Sequence, residues 1–255
     1  GDYDNDGDLD LYVVNGSDFE HFESKSGPGN SLYQNRGNGT FADVSATADV
    51  ADAGWGAGCA VGDIDNDGHR DLYVTNYRAN VLYRNDSDGS FTDITSASGT
   101  AGDDYSAAAA FFDYDNDGDL DLYVTNYVDF DLANNPRTGC DYVGGIKTYC
   151  GPLGMKGAGD VLYQNDGDNS FADVTESSGI AAANSWFGLG VVPVDHNGDG
   201  NLDLYVANDV TPNVLFQNQG DGTFVDEAEQ RGAQQDKKTR GHGGLLVIGH
   251  ENLQL

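Results

Sequence analysis

The chain has 255 residues, enough for one all-β domain with its own core, and its Asp and Glu outnumber Lys and Arg by 43 to 12. The net charge of −31 makes nucleic acid and anionic membrane surfaces poor partners, because attraction to phosphate needs a basic patch. No apolar run reaches about 18 residues, so the sequence predicts no membrane insertion.

One acidic nine-residue motif occurs four times. Its copies, here loops one to four, read DYDNDGDLD (2–10), DIDNDGHRD (63–71), DYDNDGDLD (113–121) and DHNGDGNLD (195–203). Each copy fits D-x-[DN]-x-D-G-x-x-D, and an apolar, β-rich run follows it. Carboxylates held within about 4 Å of one another repel strongly unless a cation lies among them. The glycine at position six allows the sharp turn that brings both sides of a loop to one ion.

These loops predict about four Ca²⁺ ions, because oxygen donors without His or Cys side chains favour calcium over zinc or copper. Side chains at positions one, three, five and nine are the predicted ligands, with the backbone carbonyl of position seven as a fifth donor. The alternative is a set of acidic turns without metal, which four repeats of one spacing disfavour. The predicted ligands, with the carbonyl donors Asp8, His69, Asp119 and Asn201 included, are Asp2, Asp4, Asp6, Asp8, Asp10, Asp63, Asp65, Asp67, His69, Asp71, Asp113, Asp115, Asp117, Asp119, Asp121, Asp195, Asn197, Asp199, Asn201 and Asp203.

The residues after each loop exclude an EF-hand. That site needs a Glu at position 12 and flanking helices, whereas position 12 is Val in every copy. After loop three, Leu122 and Val124 alternate with Tyr123 and Thr125, which predicts a half-buried strand. The nonapeptide β-helix is excluded too, because its loops follow one another directly.

The segments around the loops also repeat, as four short strands in about 50 residues. Around loop two these are residues 56–62, 72–76, 81–85 and 91–95, and the other copies match segment by segment. The sequence therefore predicts an all-β fold, a β-propeller of four-stranded blades with strand-loop-strand calcium sites. A stack of β-sandwiches is the alternative, but each unit is too short to close its own core. The predicted units within the single domain 1–255 are 1–52, 53–102, 103–183 with an insertion at 127–159, 184–230, and an atypical C-terminal strand region at 231–255.

The acidic loops, with the strings LYVTN and FTDIT that follow them, resemble the FG-GAP and VCBS repeats of integrin-type propellers over residues 1 to about 230. The segment 126–165, with its two cysteines and a Cys-Gly-Pro string, is similar to the cartilage acidic protein family and its bacterial relatives. The resemblance implies a secreted or cell-envelope calcium propeller without known catalysis.

The cysteines bear on the compartment. Cys140 and Cys150 look like a local disulfide pair, whereas Cys59 lies in a predicted first strand and is expected to be a small buried residue. Low-affinity calcium modules fill where free calcium is near millimolar. We therefore expect an extracellular, cell-surface or periplasmic location.

The C-terminal region departs from the repeat. After Gly232 a fifth acidic loop is expected, but the chain supplies an apolar strand, 244–248, followed by Gly-His-Glu-Asn. Part of a larger propeller is the favoured interpretation, and a closed four-bladed ring is the alternative.

The insertions suggest where a partner binds. Both of them, 16–29 and 127–159, lie between second and third strands, at the end of the sheet opposite the acidic loops. Tyr142, Lys147 and Tyr149 are the expected anchors for an unknown protein or glycan ligand there. No Ser-His-Asp or Cys-His set can be assembled, so no catalysis is expected. The predicted function is an interaction module for a protein or matrix component, with a carbohydrate-binding or carbohydrate-active propeller as the alternative.

Overall fold

A computed structural model gives the fold of the chain. It describes residues 1–17, 21, 24, 26–131, 140–141, 145, 147–148, 151–152, 154–183 and 186–234. Cys150, the side chains of Cys140 and Lys147, Tyr142, Tyr149 and the C-terminal region from 235 lie outside the described residues, so the disulfide, the anchors and the last strand stay predictions.

Four antiparallel sheets follow one another along the chain, each a meander in which neighbouring strands are hydrogen-bonded. Sheet one has three strands, which correspond to the second, third and fourth strands of the other sheets and are called so below: β1 (Leu11–Val13), β2 (Ser31–Asn35) and β3 (Phe41–Asp43). Sheet two has four: β4 (Trp55–Gly62), β5 (Asp71–Tyr77), β6 (Val81–Asn85) and β7 (Phe91–Asp93).

Sheets three and four repeat the pattern of sheet two. Sheet three contains β8 (Ser106–Phe112), β9 (Asp121–Asn126), β12 (Val161–Asn165) and β13 (Phe171–Asp173), and a separate pair, β10 (Cys140–Asp141) and β11 (Lys147–Thr148), lies in the insertion. Sheet four contains β14 (Gly188–Val194), β15 (Asp203–Asn208), β16 (Val214–Asn218) and β17 (Phe224–Asp226). The all-β propeller prediction is confirmed, with third strands at the predicted bounds.

The prediction of half-buried second strands is wrong. All residues of β5 and β9 are buried, with Leu122 and Tyr123 on opposite faces of β9 both 0% exposed. Each sheet packs against its neighbours, so one apolar cluster joins sheets two and three and another joins sheets three and four. Burying one such side chain contributes about 1.5–3 kcal/mol, so these interfaces provide most of the core.

Short helical turns, which the sequence analysis did not predict, follow the fourth strands. They are α1 (Ser45–Ala48), α2 (Thr95–Ser98), a 3-10 turn (Ile180–Ala183) and α3 (Ala228–Arg231). The strands end early because an Asp binds the backbone two residues on, as Asp93 Oδ1 does in accepting from Thr95 N at 2.9 Å. Among the described residues, no helix has the length and hydropathy to cross a bilayer.

Cys59 was predicted to be buried, and this is also wrong. The thiol is free and exposed. It lies on β4, the edge strand of sheet two, where alternate residues on one side, Ala57, Cys59 and Val61, are exposed. Side chains on that side of the edge strand are not covered by a neighbouring sheet.

An asparagine at the end of each third strand ties the sheets together. Its Nδ2 donates to the position-eight carbonyl of its own acidic loop, as Asn165 does to Leu120 O at 3.1 Å. In sheets two, three and four the same Nδ2 also reaches a position-two carbonyl of the preceding sheet: Asn85 to Tyr3 O (2.7 Å), Asn165 to Ile64 O (2.8 Å) and Asn218 to Tyr114 O (2.7 Å). In the part of the chain that the structure describes, no hydrogen bond joins sheet four to sheet one.

The residue before each third strand accepts a hydrogen bond from the backbone N–H of an Asn at or near the end of the second strand. It is Asn30, Asn80 and Asn213 in sheets one, two and four, but Asp160 in sheet three. Asp160 Oδ1 accepts from Asn126 N at 2.9 Å, and Oδ2 accepts from the Tyr123 hydroxyl at 2.9 Å. Burial raises the pKa of Asp160 to about 7.

We expect Asp160→Asn to stabilise the protein near and above neutral pH. In sheet four Asn213 Nδ2 donates to the Tyr205 hydroxyl at 2.8 Å, so an amide at position 160 can keep both contacts of Asp160, with the Tyr123 hydroxyl accepting instead of donating. Because the folded pKa of Asp160 exceeds its unfolded value of about 3.9, its contribution to stability is present below that value and is lost as pH rises through about 7. The gain in melting temperature over wild type should be larger at about pH 8 than at about pH 5. Equal gains at both pH values would contradict this assignment.

Candidate metal centres

Each acidic loop precedes the second strand of its sheet, and two left-handed residues shape it. Position six is always glycine, with φ of 94°, 90°, 96° and 90° at Gly7, Gly68, Gly118 and Gly200. Position four is Asn with φ near 60° in loops one to three, and Gly198 with φ of 76° in loop four. The turn brings the position-six N–H onto the first carboxylate, as Gly118 N donates to Asp113 Oδ2 at 3.1 Å. These bonds curl each loop around its own carboxylates.

The structure gathers carboxylates in loops one, two and three. Within each group, one oxygen from every residue lies within 4.8 Å of the others. The groups are Asp2, Asp4 and Asp6 in loop one, Asp63, Asp65 and Asp71 in loop two, and Asp113, Asp115 and Asp121 in loop three.

Four oxygens in these groups are buried and accept no hydrogen bond from the described residues. They are Asp2 Oδ1 and, at position three of each loop, Asp4 Oδ1, Asp65 Oδ1 and Asp115 Oδ1. A buried carboxylate oxygen without a donor carries a desolvation cost of several kcal/mol for the charge unless a cation or a proton compensates it. Loops one to three therefore fit a bound cation, and their donors are all oxygens.

The position-nine aspartate has a structural role that the spacing did not reveal. Asp121 Oδ2 accepts from Tyr114 N at 2.9 Å and Oδ1 accepts from Asn165 N at 3.0 Å, so this side chain joins its loop to the third strand. Asp71 makes the same two bonds, to Ile64 N and Asn85 N, both 2.8 Å. Burial raises the pKa of Asp71 and of Asp121 to about 7 each, an effect opposed by these N–H donors. In loop one Asp10 makes these bonds without joining the acidic group.

Several other predicted ligands lie outside the three groups. At position five, Asp67 Oδ1 and Asp117 Oδ1 accept from the N–H two residues on, at 2.8 and 2.9 Å.

The position-seven side chains of loops two to four contact the preceding loop. His69 Nδ1 lies 3.1 Å from Asn5 Nδ2, Asp119 Oδ1 accepts from Asn66 Nδ2 at 2.8 Å, and Asn201 Oδ1 accepts from Asn116 Nδ2 at 3.1 Å. Asp8 N donates to Asp6 Oδ1 at 2.9 Å. Each of loops two to four is thus joined by side-chain contacts to the loop that precedes it in the chain.

Loop four differs from the others. Its carboxylates, Asp195, Asp199 and Asp203, form no group of this kind among the described residues. Position three is Asn197, whose Nδ2 donates to Asp199 Oδ2 at 2.8 Å. Position two is His196, whose ring Nδ1 donates to Asp203 Oδ2 at 2.5 Å.

Sequence reasoning missed a glutamine that orients the position-three carboxylate. Gln34 Nε2 donates to Asp4 Oδ2 at 2.6 Å, and Gln164 Nε2 donates to Asp115 Oδ2 at 2.7 Å. Both residues lie one position before the asparagine that ends the third strand. The recurring Gln in SLYQN, VLYQN and VLFQN was the available signal, and Arg84 replaces it in sheet two. These amides bind one oxygen of each carboxylate, and the other oxygen, Oδ1, is the buried one that accepts no hydrogen bond from the described residues.

The repeated sheets and their acidic loops define a bladed, all-β repeat protein. The family model for the FG-GAP-like repeat matches residues 2–74, 63–124, 153–206 and 195–244, and the chain belongs to this family. It is similar to Cartilage acidic protein 1 of Xenopus tropicalis, with 32% identity over 103 residues. That match covers 35% of this chain and 16% of the relative, so the chain spans a small part of the relative's length.

Proposed function

We propose that loops one, two and three each hold one calcium ion, and that the chain is an interaction module outside the cytoplasm. The observation that carries the proposal is the buried, unpartnered Oδ1 of Asp4, Asp65 and Asp115 in loops whose other carboxylate oxygens are mostly hydrogen-bonded. A bound ion would supply positive charge among the carboxylates. The predicted fourth ion, at loop four, is not part of this proposal, because position three there is Asn197 and loop four has no buried, unpartnered carboxylate oxygen.

The chemistry of the donors favours calcium. Loops one to three offer carboxylate oxygens and no imidazole or thiolate within their acidic groups, which suits a hard cation. Calcium accepts six to eight oxygens in flexible geometry, whereas magnesium demands a near-ideal octahedron. Five carboxylates in a nine-residue loop, as in loops one and three, supply enough oxygens for the larger ion.

We expect Asp115→Ala to remove one bound calcium, because it deletes the unpartnered oxygen of loop three. Asp168→Ala is the matched control: Asp168 is an exposed carboxylate in the β12–β13 turn that accepts from Ser170 Oγ at 2.7 Å. Isothermal titration with calcium should give one site fewer for the first variant and no change for the second. Equal stoichiometry in both variants and in wild type would contradict the assignment of loop three.

The end of the sheets opposite the acidic loops is the proposed partner surface. A row of aromatic rings crosses it from sheet two to sheet four, with centroid separations of 5.5 Å for Tyr77–Tyr105, 5.9 Å for Tyr105–Tyr127 and 6.1 Å for Tyr127–Phe187. The insertion starts from this row, since the Tyr77 hydroxyl donates to Phe130 O at 3.1 Å. The row supports the insertion on a rigid base.

Support for an extracytoplasmic module comes from the family and from the cartilage protein it resembles. FG-GAP repeats are generally non-catalytic, so we propose binding rather than catalysis. A sugar site needs exposed aromatic faces for stacking. In this row Tyr77 and Phe187 are 4% and 6% exposed, Tyr105 and Tyr127 are half-buried, and all four rings pack edge-on against one another. We therefore propose a protein or matrix partner in preference to a carbohydrate.

Binding to immobilised matrix proteins and to a glycan array, each with calcium and with EDTA, tests this choice. We expect calcium-dependent retention on at least one matrix protein and no signal on the glycans. Retention on glycans alone would favour the carbohydrate alternative.

A further inference from the structure

The ring of His196 is hydrogen-bonded to the position-nine carboxylate of loop four. In loops one to three, position two is Tyr3, Ile64 or Tyr114, and only backbone N–H groups reach the position-nine carboxylate. In loop four, Asp203 Oδ2 accepts both from His196 Nδ1 at 2.5 Å and from His196 N at 3.0 Å. The Asp203 side chain is fully buried. An oxygen that accepts two hydrogen bonds has no lone pair left for a metal ion.

The side chain of Asn197 has its hydrogen-bond partners within the same loop. Its Oδ1 accepts from Asp199 N at 2.9 Å while its Nδ2 donates to Asp199 Oδ2 at 2.8 Å. The equivalent position in the other loops is an aspartate with a buried oxygen that accepts nothing from the described residues. The position-three oxygen, whose lack of a partner indicates a cation in loops one to three, therefore accepts a hydrogen bond in loop four.

The first carboxylate of loop four is also more fully bonded. Asp195 Oδ1 accepts from Gly198 N at 2.7 Å and from Asp199 N at 3.2 Å, and its Oδ2 accepts from Gly200 N at 3.0 Å. In loop three, each oxygen of Asp113 accepts one such bond, from Asp117 N and from Gly118 N. The additional donor is the N–H of Gly198, which stands where the other loops have Asn.

We propose that loop four closes without calcium, with the imidazole of His196 hydrogen-bonded to the carboxylate that binds an ion in the other loops, so that the four acidic loops together bind three calcium ions and not four. This inference rests on the proposed function of loops one to three. Asp195 Oδ1 and Asp203 Oδ2 each accept two hydrogen bonds, and calcium would have to displace His196 Nδ1 to bind Asp203 Oδ2. Asn116 of loop three donates to Asn201, so the calcium-free loop still contacts its neighbour.

Equilibrium dialysis against radioactive calcium at about 1 mM, the range that extracellular modules require, measures the count directly. Wild type should bind three ions per chain. The matched pair is Asp115→Ala and Asn197→Ala, which remove the position-three side chain of loops three and four. We expect two ions for Asp115→Ala and an unchanged three for Asn197→Ala. Four ions in wild type with three in Asn197→Ala would overturn this inference alone, and no bound calcium in wild type would overturn the proposed function with it.

A gain-of-site variant and a spectroscopic probe complete the test. The triple substitution His196→Tyr, Asn197→Asp and Gly198→Asn gives loop four the residues of loop three at positions two to four, and we expect it to bind a fourth ion. In wild type, the amide resonances of Gly7, Gly68 and Gly118 should shift on calcium addition, while that of Gly200, at the same loop position, should not. A calcium-dependent shift at Gly200 as large as at Gly118 would contradict the proposal even if the triple variant does not fold.

Discussion

Removal of calcium with EDTA is expected to lower the melting temperature by about 20 °C. An ion that binds only the folded state stabilises it by about 2.7 kcal/mol per site at a hundredfold excess over Kd, so three sites contribute about 8 kcal/mol. In a chain of this size, each kcal/mol corresponds to roughly 2–4 °C. The effect is large because the ions oppose repulsion among carboxylates that the fold itself brings together.

Differential scanning calorimetry at fixed ionic strength checks this expectation. Magnesium in place of calcium is the control, since a general screening effect would restore the melting temperature with either ion. An EDTA-treated protein that melts within about 2 °C of the calcium-loaded protein would contradict the proposal that calcium is part of the fold.

Asn165→Ala is expected to destabilise the chain by about 2–3 kcal/mol even when calcium is saturating. The side-chain Nδ2 of Asn165 donates to Ile64 O in sheet two and to Leu120 O in its own loop. Deleting it leaves two carbonyls at a packed interface without this donor, at a cost of about 1–3 kcal/mol for each buried group. The change leaves every predicted calcium ligand in place.

Asn35→Ala is the matched control, because Asn35 ends the third strand of sheet one and donates from Nδ2 to Leu9 O at 3.1 Å at an exposed site. Urea unfolding in calcium should show a markedly larger loss for Asn165→Ala than for Asn35→Ala. Equal losses would mean that the bond between sheets adds nothing to the bond within the loop.

The repeat pattern predicted most of the fold, because a strict spacing of turns and apolar strings leaves few ways to arrange short strands. β6, β12 and β16 have the predicted bounds, and the acidic loops lie between first and second strands as expected. Full burial of β5 and β9 was not predicted, since alternation along one strand cannot show that a second sheet covers its polar face. Cys59 was misplaced for the converse reason, because an apolar strand at a sheet edge leaves one side uncovered.

The sequence motif alone does not distinguish loop four from the other candidate sites. The pattern D-x-[DN]-x-D-G-x-x-D treats positions two and four as free, so loop four matches it as well as loop three does. Only the folded geometry shows that His196 at position two reaches Asp203, and that Gly198 at position four offers an additional N–H to Asp195. The double role of Asp71 and Asp121, which join the acidic groups and also bind the third strand, likewise depends on strand pairing that spacing alone does not define.

A crystal structure of the chain grown in calcium, with anomalous diffraction data, tests the central claim most directly. We predict one anomalous peak in each of loops one, two and three, at about 2.3–2.6 Å from Oδ1 of Asp4, Asp65 and Asp115. Loop four should show no peak, and His196 Nδ1 should remain bonded to Asp203. Loops one to three that contain only water at millimolar calcium, with those three oxygens hydrogen-bonded to it, would contradict the account.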